Sequence, residues 1–314
     1  MTFFSVLLAL IAEQYAPVGQ THWTRRLVAW WLKTIARFSD TGEKSSARLA
    51  MFLLLAPPVV LVLMVHLILL FTQPLFALVW NALIVYWFLG FRQFSHPFTL
   101  IQEQLNDRDL DGARRTLSEW VGPSLSTDTM TETEVVRHTL ERAIIASHCN
   151  VFGVFFWFLV PIGPAGVVFY RLVLMAEDKW SSGVSLALAD CAKKMRYYAD
   201  WIPTRLTAIG FAIVGNFEAA AYAWRFHKKK WANESEAILL GAGGGALGVR
   251  LGEPLPEPDS REALRLAELG ESPIQDVGAE PHRGHLGAAV SLVWRAVVLW
   301  MILLAMLTVA VLIG

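Results

Sequence analysis

The stretch AVVLWMILLAMLTVAVLIG, Ala296 to Gly314, carries no charged residue. As a helix rising 1.5 Å per residue it extends about 28 Å, enough to cross the hydrocarbon layer of a bilayer. Two further runs of spanning length, Leu49–Phe71 and Pro74–Phe91, are separated only by Thr72 and Gln73 and read as a helical hairpin with a tight outer turn. The sequence therefore predicts an all-α, polytopic integral membrane protein.

Composition agrees. Of 314 residues 55% are hydrophobic and only 17% charged, and 13 are Trp. Lys and Arg (27) balance Asp and Glu (27), so no overall basic excess points to nucleic acid. Cys149 and Cys191 have no CxxC spacing and predict free thiols rather than a disulfide or zinc site. Met1 to Ala12 is apolar without a basic leader or a small-residue cleavage site, and reads as a retained first membrane helix, extending to Tyr15.

Between these anchors the chain alternates. In Thr21–Phe38, Trp23, Leu27, Trp30, Trp31, Ile35 and Phe38 recur at helical spacing, with Arg25, Arg26, Lys33 and Arg37 between them. That pattern fits a helix lying at the headgroups of an anionic leaflet, or one packed on its own protein. Pro57 and Pro58 interrupt the donor ladder of the first long span, and His66 within it should bond a neighbouring helix. Residues 92–150 read as a small helical extramembrane insert, with Thr131 and Glu134 spaced as a capping box. Val151–Ala176 is apolar but broken at Pro161-Ile162-Gly163-Pro164, leaving two halves too short to span. A re-entrant hairpin there keeps Lys193, Lys194, Arg196, Arg225 and Lys228–Lys230 on the side of the earlier Lys- and Arg-rich segments, which the positive-inside rule makes cytoplasmic. Trp201–Trp224 is either a second re-entrant piece or a helix buried among the others. The expected organisation is one membrane domain over 1–314, the cytoplasmic insert at 92–150, and a flexible connection at 253–285 before the last helix.

Chemistry concentrates in two places. Gly241 to Gly252 contains Gly243, Gly245 and Gly248 at GxGxxG spacing. No βαβ pattern surrounds them and no Walker lysine follows, so neither a dinucleotide fold nor a P-loop is expected. Gly245 and Gly248 either let backbone N–H groups approach a phosphate that Arg250 clamps, or let helices pack closely. The second place is Asp200 to Thr207 with Asn216 and Glu218, where Arg205 is placed to meet an anion; Arg171 belongs with it. His282 and His285 lack further ligands at zinc spacing, so no metal site is expected.

These residues carry a family resemblance. Gly245-Ala246-Leu247-Gly248-Val249-Arg250-Leu251-Gly252 resembles the glycine–arginine motif of the CobD/CbiB cobalamin-biosynthesis membrane proteins. Asp200-Trp201-Ile202-Pro203-Thr204-Arg205-Leu206 is similar to their D-x-x-P-x-R-L stretch, and Gly163-Pro164-Ala165-Gly166 with Tyr170-Arg171 to their G-x-x-G…Y-R segment. The resemblance implies an inner-membrane protein that joins adenosylcobyric acid to aminopropanol or its phosphate. It makes Arg171, Arg205 and Arg250 contacts for a corrinoid or phosphate-bearing substrate, and implies ATP and Mg²⁺ if the amide is formed here. Two features differ: Leu172–Asp178 replaces the family's Asn-Thr-x-Asp-type run, and its early Gly-Asp-Pro turn is missing. Leu7–Gln14, Phe155–Phe158, Val214–Glu218 and Trp294–Trp300 resemble instead the related AmpE branch, which implies a non-catalytic membrane sensor or signalling partner. A transporter fits less well, because paired broken segments do not recur.

Overall fold

The computed structural model describes residues 2–16, 23–122, 125–227, 234–252 and 278–313. Helices dominate it, joined by short turns, and four stretches are long and apolar enough to cross a membrane: Lys44–Thr72, Pro74–Asn106, Glu132–Leu159 and Gly284–Ala310. The chain divides into two compact units. The first comprises Met1–Phe94, Ser147–Thr204 and Met301–Gly314, the second Ser95–Ala146 and Arg205–Trp300.

In the first unit, α1 (Thr2–Tyr15) packs on α4 (Pro74–Phe88), and α2 (Trp23–Ser39) on α3 (Lys44–Thr72). The basic amphipathic helix forms as its periodicity predicts: Leu32 and Ile35 are buried, while Leu27, Trp30 and Phe38 are exposed beside Arg26, Lys33 and Arg37. Only 17% of the most apolar stretch of α3 is buried, so Val60, Leu61, Met64 and Ile68 face outward as hydrocarbon contacts. His66 faces Asn81 of α4, but its Nδ1 and the Asn81 Oδ1 are buried without a hydrogen-bond partner, so the expected bond to a neighbouring helix is not formed at these atoms. Pro58 has no N–H for the Leu54 carbonyl, and the Trp31 indole donates to that oxygen at 3.3 Å instead.

The break at 160–163 produces a hairpin of α8 (Gly153–Leu159) and α9 (Pro164–Lys179). Its tightness comes from Gly166, where a Cβ would strike the Trp157 carbonyl, and from Gly163, whose φ of 53° favours glycine. The residues before it continue the preceding helix. Helix α7 (Glu132–Ser147) runs on through a π turn (His148–Phe152) into α8, giving one stretch of spanning length whose most apolar window is 61% buried. The apolar periodicity of Val135, Val136, Leu140 and Ile144 serves a protein interior, which sequence spacing does not distinguish from a small soluble helix.

Trp201–Trp224 falls on the end of helix α10 (Leu186–Val214), a break at Gly215-Asn216 and the start of the next helix. Tyr198, Trp201, Ile202, Ile209 and Ile213 form an exposed stripe, while Asp200, Thr204, Thr207 and Phe211 are buried. The polar groups of α10 turn inward and its apolar ones outward, the arrangement lipid favours. Here too a proline orphans a carbonyl: Pro203 cannot donate to Ala199, and the Trp157 indole does so at 3.1 Å.

In the second unit, α5 (Phe91–Asn106) reaches it from Ser95 and is followed by α6 (Leu110–Val121), capped by Asp109 at 2.8 Å from Gly112 N. The capping box of α7 is formed, with Thr131 N donating to Glu134 and Glu134 N to Thr131 Oγ1. Helices α11 (Phe217–His227) and α12 (Glu234–Leu247) pack closely through small residues, and α13 (Gly284–Ile313) closes the chain. The Lys228–Lys230 run and residues 253–277 of the predicted connection lie outside the described residues.

Candidate functional site

A buried polar cluster forms in the first unit where the π turn meets α9 and α10. A π turn loosens the i→i+4 ladder, and its carbonyls are taken by other donors. Arg171 Nη1 donates to Cys149 O at 3.4 Å and to Asn150 Oδ1 at 2.8 Å, and Gly90 N donates to Asn150 O at 3.3 Å. Arg171 is 9% exposed. Glu13 of α1, 5% exposed, lies within electrostatic reach of it and accepts from Arg92 N at 3.2 Å.

Asp200 anchors the other side. His148 Nε2 stands 3.3 Å from its Oδ1, and Arg196 one helical turn earlier pairs with its Oδ2. Arg196 also reaches the Cys149 thiol at 3.2 Å and Glu177 at 3.9 Å. The Arg196 charge and the His148 hydrogen bond thus offset the cost of burying the Asp200 carboxylate. Tyr170, fully buried, packs its hydroxyl against Gly153, where no side chain would fit. Thus Glu13, Asn150, Arg171, Arg196 and Asp200, from four separate segments, converge in an interior that carries both signs of charge. Such a cluster is costly to bury among apolar helices unless its charges are paired, as Asp200 is with Arg196.

The remaining sequence-predicted residues lie in the second unit. Arg205 Nη2 pairs with Glu234 at 2.8 Å. Asn216 is exposed and caps α11, its Oδ1 accepting from Ala219 N at 3.1 Å; Glu218 is exposed in the first turn of that helix. Gly245 sits inside α12, where a Cβ would come 2.5 Å from the Ala219 carbonyl. Gly248 ends α12 at φ 71°: Gly248 N bonds Gly245 O at 3.1 Å and Val249 N bonds Gly244 O at 2.9 Å, a Schellman termination. Arg250 is exposed, its Nε donating to Gly278 O at 2.8 Å, while Gly252 N donates to Glu141 at 2.7 Å. The glycine segment is thus a helix end pinned by its surroundings, with Arg250 at its rim. Among the described residues no group of three His, Cys, Asp or Glu side chains converges to hold a metal ion.

Sequence patterning singled out Asp200 and Arg171 but passed over Glu13, His148, Asn150 and Arg196 as site residues. A carboxylate at the end of the first apolar run, and polar residues opening the apolar run at Val151, were the available signals.

The fold and these interiors define a class: a multi-span helical membrane protein with ionised groups enclosed among its helices. Within that class, the family described as CobD/Cbib protein matches residues 6–256. The chain belongs to the CobD/CbiB family. The cobalamin biosynthesis protein CobD of Stutzerimonas stutzeri strain A1501 is 31% identical over 231 residues, covering 72% of each chain. The protein of the same name from Chromobacterium violaceum is 30% identical over 245 residues, 77% of this chain and 74% of that one. No solved structure matches.

Proposed function

We propose that this protein acts in cobalamin biosynthesis at the bacterial inner membrane, joining a carboxyl of adenosylcobyric acid to aminopropanol or its phosphate. The observation that carries this reading is the family match across 6–256, which includes the buried cluster and all three arginines. Arg171, Arg205 and Arg250, with Asn216, Glu218, Gly245 and Gly248, are the proposed contacts for the corrinoid or a phosphate. The placement of Lys193, Lys194 and the basic α2 supports a cytoplasmic site. Amide formation requires an activated carboxyl, so ATP and Mg²⁺ accompany this reading. The chain's part is to hold two substrates in register and to place positive charge against their anionic groups.

One observation favours a second reading. Leu172, Val173, Leu174 and Ala176, which stand where the family places polar residues, are buried apolar packing. A non-catalytic, AmpE-like sensor would keep the fold and a ligand pocket without them. Complementation separates the two. In a strain lacking cobinamide synthase, the wild-type chain should restore cobalamin-dependent growth, and Arg171→Ala and Arg250→Ala should each reduce it. Failure of well-expressed wild-type protein to rescue overturns the synthase reading.

A further inference from the structure

Beyond the polar cluster, the first unit carries an apolar groove of about 400 Å³ between α3, α9 and α10. Met51, Leu55, Val59, Phe169 and Met195 are among its lining residues, and Arg48 closes one end. From Arg48 to Val59 the wall follows α3 for twelve residues, about 16 Å of helix. That length suits an extended hydrocarbon chain rather than a compact metabolite.

The charge sits at one end only. Arg48 lies in the first turns of a span and is exposed. Lys194 is exposed on α10, and both cations act on Cys191, which also lines the groove. Asp40, just before α3, accepts from Ser185 N, just before α10, at 2.8 Å, so both helices start at one level. After Lys193 and Lys194, α10 exposes Tyr197, Tyr198 and Trp201, then Ile202, Ile209 and Ile213. Cations, then amphipathic aromatics, then aliphatics is the order in which a helix passes from headgroups into hydrocarbon. The mouth of the groove is therefore at headgroup depth and its apolar floor at acyl-chain depth.

We propose that the groove is a specific site for an anionic phospholipid, with one acyl chain between α3, α9 and α10 and the phosphate between Arg48 and Lys194. Native mass spectrometry of the full chain, released from mixed phosphatidylglycerol–phosphatidylethanolamine micelles, tests it. Each cation favours an anionic headgroup by about fivefold, so the wild type should retain phosphatidylglycerol over phosphatidylethanolamine by about 30-fold. Arg48→Gln/Lys194→Gln should fall to near parity, and Ala56→Trp, which fills the groove, should lose both lipids. Equal retention of the two lipids by the wild type overturns the proposal. So does undiminished phosphatidylglycerol binding by Ala56→Trp, or a lipid-free dimer. Should the tryptophan variant not fold, the exposed cation pair decides, since neither side chain supports the interior.

Discussion

Replacing Trp157 by Phe tests how α10 tolerates a proline in its interior. The aromatic packing on Phe169 is largely kept, but the indole donor to the Ala199 carbonyl is lost. Ala199 is 3% exposed, and Pro203 offers no N–H, so that carbonyl has no replacement donor on its own helix. A buried acceptor left unsatisfied costs about 1–3 kcal/mol, to which the smaller ring adds a packing loss. The two are separated by repeating the change in a Pro203→Ala background, where the backbone N–H returns. The coupling in this cycle should be about 1–3 kcal/mol, a factor of roughly 5 to 150 in the folding equilibrium. The assay is reversible unfolding of the detergent-solubilised protein, followed by far-ultraviolet circular dichroism. Equal cost in both backgrounds would refute the reasoning, because the indole would then contribute only its bulk.

Two further outcomes follow from the clusters. Asp200 is 2% exposed and bonded to Arg196 and His148, so Asp200→Asn leaves the Arg196 charge without its nearest carboxylate partner. Asp200→Asn should destabilise by about 3 kcal/mol in denaturant titration, and an unchanged midpoint would remove the ion pair from the account. Gly245→Val should destabilise by about 3 kcal/mol through collision with the α11 backbone, whereas Gly248→Ala should cost about 1 kcal/mol and Gly248→Asn almost nothing. The reverse order, measured by denaturant titration, would mean that close packing is not why Gly245 is small.

Much of the fold was legible because lipid imposes a simple rule: long uncharged runs must be helical. Leu49–Phe71 and Ala296–Gly314 needed nothing more, and Pro161 to Pro164 marked the hairpin break. The rule weakens for α7, whose apolar stripe faces protein, so its continuation through the π turn was hidden. It fails for α10, where an exposed Ile209 and a buried Thr207 reverse the usual correspondence between polarity and burial. The CobD/CbiB membership was readable from short motifs around Arg171, Arg205 and Arg250. The partners of Arg171 were not: Asn150 lies 21 residues away and Glu13 far earlier, and only tertiary packing unites them. The tryptophan donors at Leu54 and Ala199 are likewise invisible locally, since a proline announces the orphan but not its rescuer.

The amount of adenosylcobinamide (free or phosphorylated) formed by the complemented strain bears most directly on the synthase reading. With wild-type protein the corrinoid should appear, and Arg171→Ala should lower it at least about tenfold, the loss of one charge-assisted contact, with membrane expression unchanged. Product that accumulates equally with Arg171→Ala, or none from a well-folded wild type, would contradict a buried arginine serving this chemistry.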